Sequence, residues 1–200
     1  MEDLNFRHGG NIYSHAKKLN LIPSKIIDSS ASLVPFEPPK ILIDALLLDI
    51  KEGGFSYYPE RYLNDLKVTI GKFHNIDPKN ILPGNGASEL ITWAGYEASK
   101  YGESLIPGPG FVDYERSLNC WNGKYLFSQL PKNWDNEFPQ SLPPFPISDV
   151  IWITNPHNPT GQLWNKESLE EIIKKYKLVI CDEAFLSLTP NGEKESMIPF

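Results

Sequence analysis

Three short segments of this 200-residue chain combine residue types that could do chemistry. The first, residues 83–89, reads Pro-Gly-Asn-Gly-Ala-Ser-Glu and places small residues where a helix would begin. Free backbone N–H groups at a helix N-terminus attract anions, and small residues let a phosphate approach them closely. A tight turn with an N-cap explains the same glycines. The P-loop lysine is missing, which argues against a Walker A nucleotide site.

The second segment is Asn-Pro-His-Asn-Pro-Thr-Gly at residues 155–161, directly after an apolar run. Proline fixes its own φ and keeps the preceding residue extended. Each Asn-Pro step can therefore hold an asparagine amide rigidly toward a ligand. An ordinary proline-rich turn is the alternative interpretation.

The third segment places Asp182 and Glu183 after the apolar residues 178–181. An ionised carboxylate at the end of a buried strand needs a cation or several donors, and no arginine is near in the sequence. A solvated strand end would also meet that need. A ligand with a protonated ring nitrogen would meet it directly. Together, a phosphate cradle, a rigid asparagine and a carboxylate match the contacts that a phosphorylated pyridine cofactor requires.

The elements that must position these segments alternate along the chain. Short apolar runs predict strands, and longer amphipathic runs bounded by proline or glycine predict helices. This alternation is typical of an α/β fold with a largely parallel sheet, in which ligands bind where strands end and helices begin. The proline-rich residues 131–146 predict an ordered surface loop. The predicted strands are residues 81–82, 105–106, 125–127, 150–154 and 178–181, and the predicted helices are 38–48, 60–73, 87–101, 112–121 and 166–176.

Composition excludes several classes of protein. The chain has 19 basic and 25 acidic side chains, a net charge of −6, which predicts no nucleic-acid partner. Its two cysteines, Cys120 and Cys181, are too far apart in sequence for a metal pair or a CxxC redox site. We expect no metal, no membrane segment and a cytoplasmic location, because the apolar runs are short and the N-terminus lacks a signal-peptide pattern.

These motifs together resemble the fold-type I pyridoxal-phosphate enzymes of the class I/II aminotransferase superfamily, from about residue 8 to residue 200. The resemblance implies a three-layer α/β domain with a largely parallel sheet and pyridoxal 5′-phosphate as cofactor. It also implies that Asp182 keeps the ring nitrogen protonated, while Asn158 binds the ring 3-oxygen and the substrate.

The other cofactor contacts also come from the resemblance. The amides of Gly86 and Ala87, with the Ser88 hydroxyl, would hold the 5′-phosphate. Phe111 would stack on the ring face, although a core phenylalanine is equally consistent with its position. Tyr58 matches a tyrosine that reaches the phosphate of the neighbouring subunit, which implies a homodimer.

The N-terminal segment is most similar to the threonine-phosphate decarboxylase family. His8 and Gly9 stand in a His-Gly-Gly-Asn segment that would bind a small phosphorylated amino-acid substrate, although a flexible turn is the alternative. Ser32 falls in a second substrate segment, but it and Val34 replace asparagines of that family. Phe185 replaces the tyrosine that aminotransferases usually have three residues after the aspartate. The resemblance therefore implies decarboxylation of threonine phosphate in cobalamin synthesis.

The family's Schiff-base lysine is expected after residue 185, yet neither Lys194 nor Lys17 has a suitable context. We therefore expect the chain to be an N-terminal portion of an enzyme that is inactive alone. Residues 1–40 would form an arm with the substrate segment, and residues 41–200 a cofactor-binding domain lacking its C-terminal part. The alternatives are an aminotransferase of histidinol-phosphate type and a non-catalytic fragment.

Overall fold

A computed structural model describes residues 9–34, 36–134 and 137–200. His8, predicted to contact substrate, lies outside the described residues. The chain divides into two compact units after Val68. The predicted division lies after residue 40, whereas helix α2, which begins at Lys40, falls in the first unit.

The first unit contains two whole helices, α1 (Ile12–Leu19) and α2 (Lys40–Lys51). The Asn11 side chain caps α1 by accepting a hydrogen bond from the Ser14 N–H at 3.2 Å. Asn20 ends the helix in the left-handed conformation that asparagine tolerates. Helix α2 begins directly after the predicted Pro38–Pro39 start.

Helix α3 (Asn64–His74) begins four residues later than the sequence predicts. The Glu60 carboxylate accepts hydrogen bonds from the N–H groups of Tyr62 at 3.0 Å and Asn64 at 2.7 Å. These bonds hold residues 60–63 in a turn, so Glu60 precedes the helix instead of forming its first residue.

The second unit is built on a parallel four-stranded sheet. Its strands are β1 (Ser104–Gly108), β2 (Tyr125–Gln129), β3 (Val150–Thr154) and β4 (Leu178–Asp182), in the order β2-β1-β3-β4. Every neighbouring pair is parallel. The central strands β1 and β3 are buried along their whole length, as apolar runs of this kind predict.

Helices cover both faces of this sheet and make a three-layer arrangement. One face packs on helices α4 (Ala87–Tyr101) and α5 (Val112–Cys120), through side chains that include Val150 and Trp152 of β3. The other face packs on α6 (Lys166–Ile173) through the alternating residues Ile151 and Ile153. Successive strand side chains point to opposite faces. The predicted α/β fold is confirmed.

The predicted strand at residues 81–82 is wrong. The Ile81 N–H is bonded to the carbonyl of Pro78 at 3.2 Å, which closes the 3₁₀ turn Pro78–Asn80. A strand requires a hydrogen-bonded neighbour. Within the part of the chain that the structure describes, no strand pairs with these residues. The short apolar run is instead an irregular segment that leads into α4.

The described residues of the proline-rich loop, 131–134 and 137–146, form no helix or strand, as predicted, and Gln140 is anchored in an isolated bridge. Gln140 donates its N–H to the Leu163 carbonyl and accepts from the Asn165 N–H, both at 2.7 Å. Trp134 and Phe145 pack against the α6 side of the core. The loop therefore covers the segment that follows β3.

Among the described residues, the helices are too short or too polar to cross a membrane. In that same part of the chain, no group of three or more His, Cys, Asp or Glu side chains is arranged to hold a metal ion.

Gly95 lets α4 and α5 approach closely, and α4 begins in the first of the three candidate segments. A Cβ atom at residue 95 would lie 2.7 Å from the Ser117 Oγ and 2.9 Å from its carbonyl carbon. Replacing a glycine with alanine in an exposed helix normally stabilises that helix. Here the added methyl group has no room.

We therefore expect Gly95→Ala to lower the free energy of unfolding by about 1–3 kcal/mol, because a packed interface must separate. Urea denaturation measures this change. Glu97→Ala, on the exposed side of the same helix, is the control and should change stability by about 0.5 kcal/mol or less. Equal or greater stability of Gly95→Ala would show that the α4–α5 interface is loosely packed.

Candidate active site

The carboxyl ends of β3 and β4 bring two of the predicted segments together. Thr154 and Asp182 are register partners, and the Asn155 N–H extends the ladder to the Asp182 carbonyl at 2.9 Å. The 155–161 segment and the Asp182 carboxylate therefore leave the sheet side by side. This is the edge at which parallel α/β sheets bind their ligands.

The Asp182 carboxylate is half-buried and held at both oxygens. Oδ1 accepts the Ala184 N–H at 3.0 Å, and Oδ2 accepts the Tyr114 hydroxyl at 2.7 Å. These donors take the place of the cation that the sequence does not supply. Because a carboxylate oxygen can accept two hydrogen bonds, each oxygen keeps one acceptor position.

Tyr114 was not among the predicted site residues. Burial raises the pKa of its hydroxyl far above the usual value, and the neighbouring Asp182 charge raises this pKa further. Its spacing in the sequence could have indicated a buried position. Tyr114 lies three residues after Phe111 and four before Leu118, and all three pack on the core. A tyrosine on such a face usually needs a partner for its hydroxyl.

The two asparagines of residues 155–161 have different environments. Asn155 is fully buried, and its side chain pairs with the backbone of Trp164, accepting at 2.8 Å and donating at 3.2 Å. Asn158 is half-buried, and within the described residues its amide has no hydrogen-bond partner. Both Asn-Pro bonds are cis. Asn155 thus holds the segment, while the amide of Asn158 is the one left to meet a ligand.

The predicted phosphate turn leads into α4 as the sequence indicates. Gly86 is the N-cap residue with φ of 77°, and a Cβ atom there would meet nothing within 4 Å. The Glu89 carboxylate folds back to accept the Asn85 N–H at 2.6 Å. The Ala87 and Ser88 N–H groups in the exposed first turn of α4 are free of intrahelical partners and suit an anion.

The Ser88 hydroxyl has a different environment from the predicted one. It donates to the Asp113 carboxylate at 2.7 Å, and Arg116 binds that carboxylate at 2.9 Å. Arg116 also contacts the Ser88 Oγ at 3.2 Å. A hydroxyl has one proton to donate. In this structure Ser88 therefore ties α4 to α5, and it would have to release Asp113 to donate to a phosphate.

Phe111 caps the start of α5 and is half-buried. Its ring packs edge-on against Tyr114, with centroids 5.7 Å apart, at the margin of the core. One part of the ring packs inward and the rest stays accessible, and stacking of Phe111 on a cofactor ring stays a prediction.

The remaining predicted contacts belong to the first unit. Tyr58 is fully exposed, and Ser32 is exposed as well. Gly9 lies against the arm itself, because a Cβ atom at this position would overlap the Ser30 carbonyl. The predicted roles of Tyr58, Ser32 and Gly9 stay predictions.

The Gly10 amide, in the same predicted substrate segment, is used within the arm. It donates to the Ser30 Oγ at 2.9 Å, and the Ser30 hydroxyl donates to Asp28 at 2.5 Å.

The donor set of the second unit suits pyridoxal phosphate. An anchored carboxylate with spare acceptor positions fits a protonated pyridine nitrogen, and a partnerless asparagine amide fits the ring 3-oxygen. The open turn at Gly86 fits a phosphate. Fold and site together define a cofactor-dependent α/β enzyme.

Comparison with known proteins identifies the family. The model for aminotransferases of class I and II matches residues 24–197, and the chain belongs to this family, whose cofactor is pyridoxal phosphate. A putative threonine-phosphate decarboxylase from Caldanaerobacter subterraneus is 33% identical over 97% of this chain and 51% of the relative. A histidinol-phosphate aminotransferase from Aquifex aeolicus is 27% identical over 85% of this chain and 49% of the relative.

The fold comparison agrees. The crystal structure of the histidinol-phosphate aminotransferase from Clostridium acetobutylicum has a TM-score of 0.66 and 26% identity, over 87% of this chain and 52% of that chain. The chain spans about half the length of the curated relatives that it matches.

His157, to which the sequence assigned no role, is buried beside the site and makes stability depend on pH. Loss of solvent lowers its pKa to about 4, against 6.5 for a free histidine. Between these values the unfolded chain binds a proton that the folded protein does not, so stability falls as the pH is lowered. The expected loss from His157 is about 2 kcal/mol between pH 7.5 and pH 5.

His157→Gln should remove this contribution, since glutamine does not titrate. Urea unfolding of both proteins at the two pH values gives the difference in slope. If parent and variant lose equal stability on acidification, the histidine is not buried in its neutral form.

Proposed function

We propose that this chain is part of a pyridoxal-phosphate-dependent enzyme that decarboxylates L-threonine O-3-phosphate, in the cobalamin pathway that the resemblance implies. The observation that carries the proposal is the 33% identity to a putative threonine-phosphate decarboxylase along 97% of the chain. Phe185 supports it, because this residue stands where aminotransferases usually have a tyrosine and has no hydroxyl to donate to the cofactor.

The chain's own residues would act on the cofactor as follows. Bound pyridoxal phosphate supplies an electron sink for negative charge developing at the substrate Cα. Asp182 would hold a proton at the ring nitrogen, and Asn158 would donate to the ring 3-oxygen. The Ala87 amide would bind the phosphate. The Gly86 amide, which donates to the Gly84 carbonyl at 3.0 Å in this structure, would join it after releasing that carbonyl, as Ser88 would after releasing Asp113. Phe111 would pack on one face of the ring and keep water from it.

The whole enzyme is proposed to be a homodimer. Tyr58 is fully exposed on its own subunit, which leaves its hydroxyl accessible to the cofactor phosphate of a neighbouring subunit. The small phosphorylated amino acid would bind near the arm that contains Gly9 and Ser32.

An aminotransferase acting on histidinol phosphate or a similar substrate is the second candidate. It is favoured by the Aquifex aeolicus relative and by the Clostridium acetobutylicum structure, both described as histidinol-phosphate aminotransferases. A lyase and a transferase of this family differ in which bond at Cα the site holds perpendicular to the ring. A non-catalytic fragment is the third candidate.

The reaction products separate these candidates. With phosphothreonine, we expect the whole protein to release carbon dioxide without a 2-oxo acid, and to prefer phosphothreonine to threonine by about 100-fold or more. Two charge-assisted hydrogen bonds to the phosphate suffice for that preference. Amino transfer to 2-oxoglutarate without carbon dioxide would select the second candidate, and neither reaction would select the third.

Replacing Asp182 with asparagine tests the ring-nitrogen contact. The amide keeps the shape of the side chain but has no charge to hold a proton at the ring nitrogen, so we expect turnover to fall by about 100-fold or more. Asp77→Asn is the control, because Asp77 caps a 3₁₀ turn by accepting an N–H and asparagine can do the same. Near-normal turnover of Asp182→Asn would contradict the assignment.

A further inference from the structure

Three hydroxyl and carboxyl groups form a continuous hydrogen-bonded row behind the predicted ring-nitrogen site. The Tyr114 Oη lies 2.7 Å from the Thr154 Oγ1 and 2.7 Å from the Asp182 Oδ2. An ionised carboxylate only accepts, and a tyrosine has a single proton. Tyr114 must therefore donate to Asp182, and Thr154 must donate to Tyr114, so the direction of every bond in the row is fixed.

The row is also fixed in space. Tyr114 is 2% exposed, and its ring packs against Trp152 with centroids 5.0 Å apart. Thr154 is buried at the last position of β3. Because burial raises the pKa of the Tyr114 hydroxyl, this group remains a donor throughout the range in which proteins work.

Packing does not require these hydroxyls. A phenylalanine would fill the core position of Tyr114, and burying a hydroxyl is unfavourable unless it is hydrogen-bonded. A valine would suit the end of a buried strand better than Thr154 does. The two hydroxyls instead bond to one another, and that of Tyr114 also bonds to Asp182, which points to a role at that carboxylate.

We propose that Tyr114, supported by Thr154, is a positioning residue that orients the Asp182 carboxylate toward the ring nitrogen of the cofactor. The backbone N–H of Ala184 holds the other oxygen, at 3.0 Å. With one donor on each oxygen, rotation about the Cβ–Cγ bond is blocked. The remaining acceptor positions then point in set directions, which a freely rotating carboxylate would not maintain.

This inference rests on the cofactor of the family and not on the identity of the substrate. It applies equally if the reaction is decarboxylation or amino transfer, because both need the protonated ring. Its test must therefore observe the ring nitrogen itself.

The experiment compares Tyr114→Phe with Tyr125→Phe in the whole protein loaded with pyridoxal phosphate labelled with ¹⁵N in the ring. Tyr125 is a matched control, because its hydroxyl is bonded to Glu115 at 2.7 Å, and Glu115 is not one of the site residues. We expect Tyr114→Phe to move the ¹⁵N resonance toward that of an unprotonated pyridine and to lower turnover about tenfold or more, as the loss of a hydrogen bond to a charged group would. Tyr125→Phe should leave both unchanged.

Thr154→Val provides a second variant that keeps the Tyr114 ring in the core. It removes the donor behind Tyr114, so the resonance should move in the same direction by a smaller amount, and this variant carries the test if Tyr114→Phe fails to fold.

Two results would overturn the proposal, and they are distinguishable. A parent protein that binds no pyridoxal phosphate would overturn it together with the proposed function. A parent with a protonated ring whose ¹⁵N resonance and turnover stay within the range of Tyr125→Phe in both variants would overturn the role of Tyr114 alone.

Discussion

The pairing of β3 with β4 is the constraint on which the candidate site depends. Parallel strands in register end at the same edge, and here the last ladder positions are Thr154 and Asp182. One further backbone bond, from Asn155 to the Asp182 carbonyl, fixes where the next segment starts. The carboxylate and the asparagine-rich segment are thus placed by backbone geometry before any side chain contributes. A shift of one residue in this register would turn Asp182 to the other face of the sheet.

The sequence predicted the strands and helices of the second unit well where an apolar run was long enough to be buried on both faces. The residues of β3 and of α4 agree with the prediction at both ends. It failed at residues 81–82, because two apolar residues say nothing about whether a neighbour exists to pair with them. The start of α3 was also misplaced, since a glutamate at a helix start and a glutamate that caps a preceding turn look the same in sequence.

For the site, sequence motifs identified the residues that face outward but not those behind them. Asp182, Asn158 and Gly86 stand at strand ends and turns, where unusual residue types attract notice. Tyr114 and Arg116 lie in an unremarkable amphipathic helix, and their partners are 68 and 28 residues distant in the chain. Contacts of that kind follow from packing, so only the folded arrangement shows that Ser88 is already committed to Asp113.

Two consecutive residues of helix α5 contact different elements of the fold. Asp113 reaches the start of α4, whereas Tyr114 reaches the end of β4. The start of α4 and the Asp182 carboxylate, two parts of the candidate site, are consequently not independent. A helix that slid or rotated by a fraction of a turn would break the Ser88–Asp113 and Tyr114–Asp182 bonds together. In a chimaera made from two related proteins, residues 111–116 would therefore have to come from the same parent as the residues that they contact.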